Sequence, residues 1–98
     1  MSVSWFCYML RCSDDALYVG ATKDLAVRVK RHNAGFGAKF TAKRRPVKLI
    51  WWQCFESEKE ARGREAQLKG WRREKKLALL SEFGDRVYPS VAKIATSG

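Results

Sequence analysis

The stretch Trp5-Phe6-Cys7-Tyr8-Met9-Leu10-Arg11-Cys12 is aromatic or apolar almost throughout, and Ser13-Asp14-Asp15 follows it directly. A continuous apolar run of this length, bounded by a cluster of turn formers, reads as a buried strand entering a hairpin. Ala16-Leu17-Tyr18-Val19-Gly20-Ala21 is the natural return strand. Tyr8 and Tyr18 are thereby expected near each other on adjacent antiparallel strands.

Working outward, Thr22 or Asp24 can cap a first helix that carries Leu25, Ala26, Val29 and Ala34 on its apolar side and ends at Gly35. Arg28 and His32 are spaced i, i+4 and share a different face of it. From Gly35 to Pro46 the chain has two glycines, a proline and four Lys or Arg, which reads as a basic loop with Phe36 and Phe40 interleaved. Val47 to Phe55, containing Trp51-Trp52, makes a third strand that is apolar on both faces over most of its length. Ser57-Glu58-Lys59-Glu60 is a capping box opening a second long helix through Ala61, Glu65 and Leu68 to Gly70. Trp71 to Phe83 forms the next, with Leu77, Leu80 and Phe83 expected toward the core and Gly84 closing it. The expectation is an α/β fold, a small three-stranded antiparallel sheet flanked by helices in the order β-β-α-β-α-α. Residues 1–84 are expected to form one domain. The tail 85–98 has no clear period and is expected to be partly disordered.

The chain has 98 residues with 20 Lys and Arg against 10 Asp and Glu, a formal net charge of +10. Residues 23–48 alone hold nine of the basic residues against Asp24. A concentrated excess of this kind favours a polyanionic partner and argues against cationic substrates. No apolar run approaches the roughly 20 residues that span a bilayer, and no secretory leader is evident, so the expected location is cytoplasmic, away from membranes. Cys7, Cys12 and Cys54 lack any metal-binding spacing and are expected to be small buried apolar residues.

Packing does not require Tyr8, Tyr18, Arg28, His32 or Glu65 where they stand. Each has an ordinary reading: strand tyrosines at the core edge, a helix-surface histidine, a glutamate paired with Arg62, Lys69 or Arg72. Together they supply what phosphodiester hydrolysis needs, a carboxylate for a divalent metal, a cation for phosphate oxygens and a hydroxyl or imidazole for the attacking water. A lone carboxylate points to one Mg²⁺ or Mn²⁺ that takes most ligands from water and phosphate, and the absence of a second acidic cluster argues against a two-metal site.

These residues resemble the GIY-YIG nuclease superfamily. Cys7-Tyr8-Met9 stands where the first tripeptide would be and Tyr18-Val19-Gly20 where the second would be, while Arg28 matches the family's helix-borne arginine and Glu65 its metal-binding glutamate. Gly35-Phe36-Gly37-Ala38-Lys39-Phe40-Thr41 and Arg45-Pro46-Val47-Lys48-Leu49 look like the small stand-alone bacterial members related to the N-terminal nuclease domain found in the excinuclease ABC system. The first tripeptide departs from the pattern in having Cys7 for glycine and Met9 after the tyrosine, and the appended DNA-binding domain of many relatives is not expected within these 98 residues. The resemblance implies a one-metal DNA endonuclease of repair or recombination, choosing branched or damaged structure over sequence, with a protein partner as one source of specificity. It further implies Glu65 as the metal ligand, Arg28 on the developing phosphorane charge, Tyr8 as base or water-positioning hydroxyl, and Tyr18 and His32 orienting water or phosphate. A Tyr8 base calls for a pKa lowered by Arg28, Lys69 or the metal, because an ordinary tyrosine titrates near 10.

Lys39, Lys43, Arg44, Arg45 and Lys48 are the expected grip on the nucleic-acid backbone, joined by Lys30, Arg31 and Lys69. Phe36 and Phe40 have two readings, stacking on unpaired bases or anchoring the loop to the core. The rival functions are a non-catalytic nucleic-acid-binding module on the same fold, an RNA-directed factor, and an interaction protein using its tryptophans, the last weakened because Trp51 and Trp52 must point to opposite sides of a strand.

Overall fold

The computed structural model describes residues 4–83. Strands β1 (Trp5–Arg11), β2 (Leu17–Thr22) and β3 (Lys48–Phe55) form an antiparallel sheet in the order β2-β1-β3. Around it run α1 (Leu25–Asn33), the single turn α2 (Lys39–Ala42), α3 (Glu58–Lys69) and α4 (Arg73–Phe83). The sequence order is the expected β-β-α-β-α-α with one short helix added inside the basic loop. Expectations for Gly84, the tail 85–98 and the packing of the Phe83 side chain lie outside the described residues.

β1 is the central strand and is apolar on both faces because both are covered. Phe6, Tyr8, Leu10 and Cys12 point to one side, where Leu25 and Val29 of α1 and Trp52 of β3 close over them. Cys7 and Met9 point to the other, against Trp51, Leu68 of α3 and Leu79 of α4. Adjacent Trp51 and Trp52 thus enter opposite cores, as strand alternation requires. Leu79, at 5% exposure, takes the core position of α4 that the sequence pattern assigns to Leu77; Leu77 is only half-buried and Leu80 packs at the margin. Cys7 and Cys12 are buried, but Cys54 near the end of β3 is exposed, against expectation.

Helix starts follow local chemistry. The Asp24 carboxylate accepts from the Val27 amide at 3.1 Å, and Ser57 Oγ accepts from the Glu60 amide at 3.2 Å while donating to the Glu60 carboxylate. Gly35, at φ +93°, turns the chain out of α1 in the left-handed region that glycine enters freely. The basic loop is then tied down at its base. Asn33 donates to the Val47 carbonyl and accepts from its amide at 2.7 Å, and the Ser13 amide of the hairpin turn donates to the Arg44 carbonyl.

Candidate active site

Tyr8 projects from β1 toward α1, and its hydroxyl lies 2.8 Å from His32 Nε2. Both residues are fully buried. The other ring nitrogen of His32, Nδ1, lies 2.7 Å from Thr41 Oγ1 of α2, itself fully buried. His32 is therefore an internal group bonded on both sides, not the surface or capping histidine that a lone helical His usually is. Tyr18 completes an aromatic cluster: its ring centroid is 6.4 Å from that of Tyr8 and 5.1 Å from the imidazole, and it stacks on Phe40 at 6.1 Å.

Two glycines make room for this cluster. A Cβ at Gly20, the residue paired with Tyr8 across the hairpin, would come within 2.5 Å of the Tyr8 hydroxyl. A Cβ at Gly37 would run into the His32 imidazole. The glycine of Tyr18-Val19-Gly20 is thus explained by close approach of a ring, not by backbone conformation.

Burial, with Tyr18 adding to it, pushes the Tyr8 phenol above the ordinary tyrosine value, while Arg28 pulls the other way. The lowered pKa expected for a Tyr8 base is not found, because desolvating a buried phenolate outweighs one half-buried guanidinium. Burial, then repulsion from Arg28, lowers His32 to about 4, so the imidazole is neutral at pH 7. Cys7, in the place of the missing glycine, is pushed up to about 12 by burial and by Glu65, which leaves an inert thiol.

Glu65 rises from α3 with a side chain only 15% exposed, Oε2 3.0 Å from Lys69 Nζ and Oε1 3.6 Å from Arg62. Lys69 Nζ also stands 5.8 Å from the Tyr18 ring centroid, reaching past the edge strand β2 from the opposite side of the sheet. Contacts thus run from Glu65 to Lys69, from Lys69 to the Tyr18 ring and from Tyr18 to Tyr8, and Arg28 of α1 lies beside Tyr8. As a metal site the donor set is sparse: among the described residues no three His, Cys, Asp or Glu side chains cluster. A single hard carboxylate fits one Mg²⁺ or Mn²⁺ that keeps waters and takes phosphate oxygens, and does not fit a zinc or other thiolate or imidazole site.

Apart from Lys69, which pairs with Glu65, the expected backbone-binding residues divide in two. Lys30, Arg31, Lys39, Lys43 and Lys48 are exposed, and among the described residues no ion pair engages them. Arg44 instead pairs with Asp14 at 3.0 Å, donates to the Phe40 carbonyl and lies 4.0 Å over the Phe40 ring, while Arg45 donates to the carbonyls of Ala42 and Asn33. Those two arginines hold the loop together. Lys48 sits opposite Arg11 on β3, the edge away from β2. The two phenylalanines also part company: Phe40 anchors the loop through Tyr18, whereas Phe36 is 77% exposed. Thr41 and Gly37 escaped the sequence reading because a loop without periodicity gives no sign of which side chain points inward.

Comparison with known proteins agrees with this fold. A model of the GIY-YIG catalytic domain matches residues 4–78. A UPF0213 protein of Staphylococcus aureus is 47% identical over 79 residues, covering 81% of this chain and 96% of its own length. Two solution NMR structures are similar: a UPF0213 protein from Bacillus halodurans (36% identity, TM-score 0.55, 92% and 93% of the two chains covered) and a protein from E. faecalis (35%, TM-score 0.57, 90% and 97%).

Proposed function

Because the chain belongs to the GIY-YIG catalytic domain family, a nuclease superfamily, we propose that it is an active, metal-dependent endonuclease that hydrolyses DNA phosphodiester bonds, with Tyr8, Tyr18, Arg28, His32 and Glu65 as its site. The observation that carries this reading is the buried hydrogen bond between Tyr8 and His32. A structural tyrosine would present its hydroxyl to solvent or a carbonyl; this one meets an imidazole held neutral, which is a proton acceptor.

Attack on the phosphate requires a proton to leave water. The step requires the attacking water to reach the Tyr8 hydroxyl, which is fully buried in this structure; Tyr8 oxygen then takes the proton while the phenol's own proton moves to His32 Nε2, so no free phenolate need accumulate and the raised resting value of Tyr8 is no obstacle. Arg28, beside Tyr8, favours the transient phenolate and meets the charge developing on the phosphorane. Tyr18 walls the site and orients the phosphate. Glu65 would hold the ion, which when bound neutralises phosphate charge, and Lys69 must yield its place on that carboxylate. Lys30, Arg31, Lys39 and Lys43 grip the backbone, and exposed Phe36 favours branched or damaged DNA with unpaired bases, as repair or recombination would present.

Cleavage of end-labelled duplex, single-stranded, flap and four-way-junction DNA with Mg²⁺ or Mn²⁺ tests the reading. Products from the wild type that vanish in Glu65→Ala are expected. A second reading, a DNA- or RNA-binding module without catalysis, is favoured by the ion pairs that engage both Glu65 oxygens; binding without cleavage by either protein would select it.

A further inference from the structure

We propose that Thr41, carried by the basic loop, is the positioning residue that fixes the proton of His32 on Nδ1 and so leaves Nε2 open to receive the proton of Tyr8. The inference rests on the nuclease reading for its consequence, but not for its geometry.

The direction of the hydrogen bonds follows from counting protons. Thr41 Oγ1 lies 3.1 Å from the carbonyl of Ala38, which can only accept. The Thr41 hydroxyl has one proton, and donating it to Ala38 leaves its lone pairs to accept from His32 Nδ1 at 2.7 Å. Nε2 then carries no proton and accepts from the Tyr8 hydroxyl at 2.8 Å. In this arrangement all three protons have acceptors. The reverse arrangement, with Thr41 donating to Nδ1 and Nε2 donating to Tyr8, leaves the Tyr8 proton without an acceptor among the described residues, and a buried unsatisfied hydroxyl costs about 1–3 kcal/mol.

The same loop seats itself against the ring in two further ways. Gly37 packs so close to the imidazole that no side chain fits there, and Phe40 stacks on Tyr18. Thr41 is thus flanked by Lys39 and Lys43, the exposed cations expected on the DNA backbone, within one helical turn. Seating of the nucleic-acid loop and assembly of the proton acceptor are one event: a loop lifted away would take Thr41 with it and free the imidazole to adopt either tautomer.

The test uses a convenience of the sequence, which contains a single histidine. Ring ¹⁵N shifts and long-range ¹⁵N–¹H couplings of histidine-labelled protein report the His32 tautomer directly, without activity and without metal. The wild type is expected to be Nδ1–H, and Nε2–H overturns the proposal. Thr41→Val is expected to populate Nε2–H measurably and to slow cleavage about 10- to 100-fold, with Thr41→Ser restoring both. An unchanged Nδ1–H tautomer in Thr41→Val overturns the proposal, and Thr41→Ala serves the same comparison if the valine does not fold. If no protein cleaves DNA, the catalytic reading fails while the tautomer result still decides the role of Thr41.

Discussion

Tyr8 and His32, 24 residues apart in sequence, meet at 2.8 Å in a place where neither has any solvent exposure. Strand β1 delivers the hydroxyl from the middle of the sheet and α1 the imidazole from its last turn. A polar pair at full burial is stable only when its hydrogen bonds are made, and each is made here by a different element. The core of the sheet and the chemistry of the site are therefore the same set of contacts.

Removing the Tyr8 hydroxyl separates the two. Tyr8→Phe keeps the ring that packs among Phe6, Leu10 and Trp52 but leaves Nε2 without a donor. Cleavage is expected to fall about 10²- to 10⁴-fold, the usual scale for a general base, with DNA affinity unchanged. Gly20→Ala should be as damaging to cleavage, and unlike Tyr8→Phe should also destabilise the fold by about 1–3 kcal/mol, since the new methyl meets the Tyr8 ring. Thermal unfolding and a cleavage time course on both variants distinguish lost chemistry from lost packing.

The neutral buried imidazole sets a pH dependence of stability. His32 is lowered from the ordinary histidine value of 6.5 to about 4, so the unfolded chain binds the proton first as the solution is acidified. The stability it contributes is full above pH 6.5 and is lost as pH falls toward 4, an effect on the order of 3 kcal/mol. Denaturant midpoints measured between pH 7 and 4 should decline through that window for the wild type. His32→Gln should lose most of the decline, and an identical slope in both proteins would dismiss the assignment.

Much of the fold was legible because its signals are local. The apolar run at Trp5–Leu10, the Ser57 capping box and the turn at Gly35 each act within a few residues, and each element they imply is present. The site was legible only in its members. Nothing local reveals that His32 is buried, because its burial depends on Gly37 and Thr41 of the basic loop and Tyr8 of β1 converging on it. α2 was missed because four residues inside a Gly- and Lys-rich loop have no periodicity to read. The α4 core position was misplaced at Leu77 because Leu77, Leu79 and Leu80 surround the helix, so only its docking on β3 selects Leu79. The same lack of local signal hid the division of the basic residues, since charge is visible in sequence and hydrogen bonding is not.

That division yields a prediction about salt. Each phosphate neutralised by a cation contributes about 0.9 to the slope of log affinity against log salt on duplex DNA. Lys39→Ala and Lys43→Ala, which remove exposed cations from the loop surface, should each lower the slope by about that much. Arg45→Ala removes the bonds to Ala42 and Asn33 and should lower the melting temperature more than the salt slope. Binding titrations from 50 to 200 mM salt, with a melting curve for each variant, would expose an error if Arg45→Ala changed only the slope.

Phe36 gives the sharpest test of substrate structure. Its backbone is fixed, the amide donating to the Arg31 carbonyl at 2.9 Å, and the next residue, Gly37, abuts His32, so the exposed ring is held close to the site by a rigid segment. An unpaired base can stack there while its neighbouring phosphate reaches the half-buried Arg28; a base inside a duplex is already stacked and has nothing to gain. Stacking of this kind contributes about 1–3 kcal/mol per base. Phe36→Ala should therefore weaken binding to single-stranded and flap DNA by about 5- to 150-fold and leave duplex binding unchanged, with Phe36→Trp restoring the preference. A 2-aminopurine placed beside the junction should be quenched by the wild type and not by Phe36→Ala. Equal losses on duplex and flap would mean that the ring supports the loop and does not touch the bases.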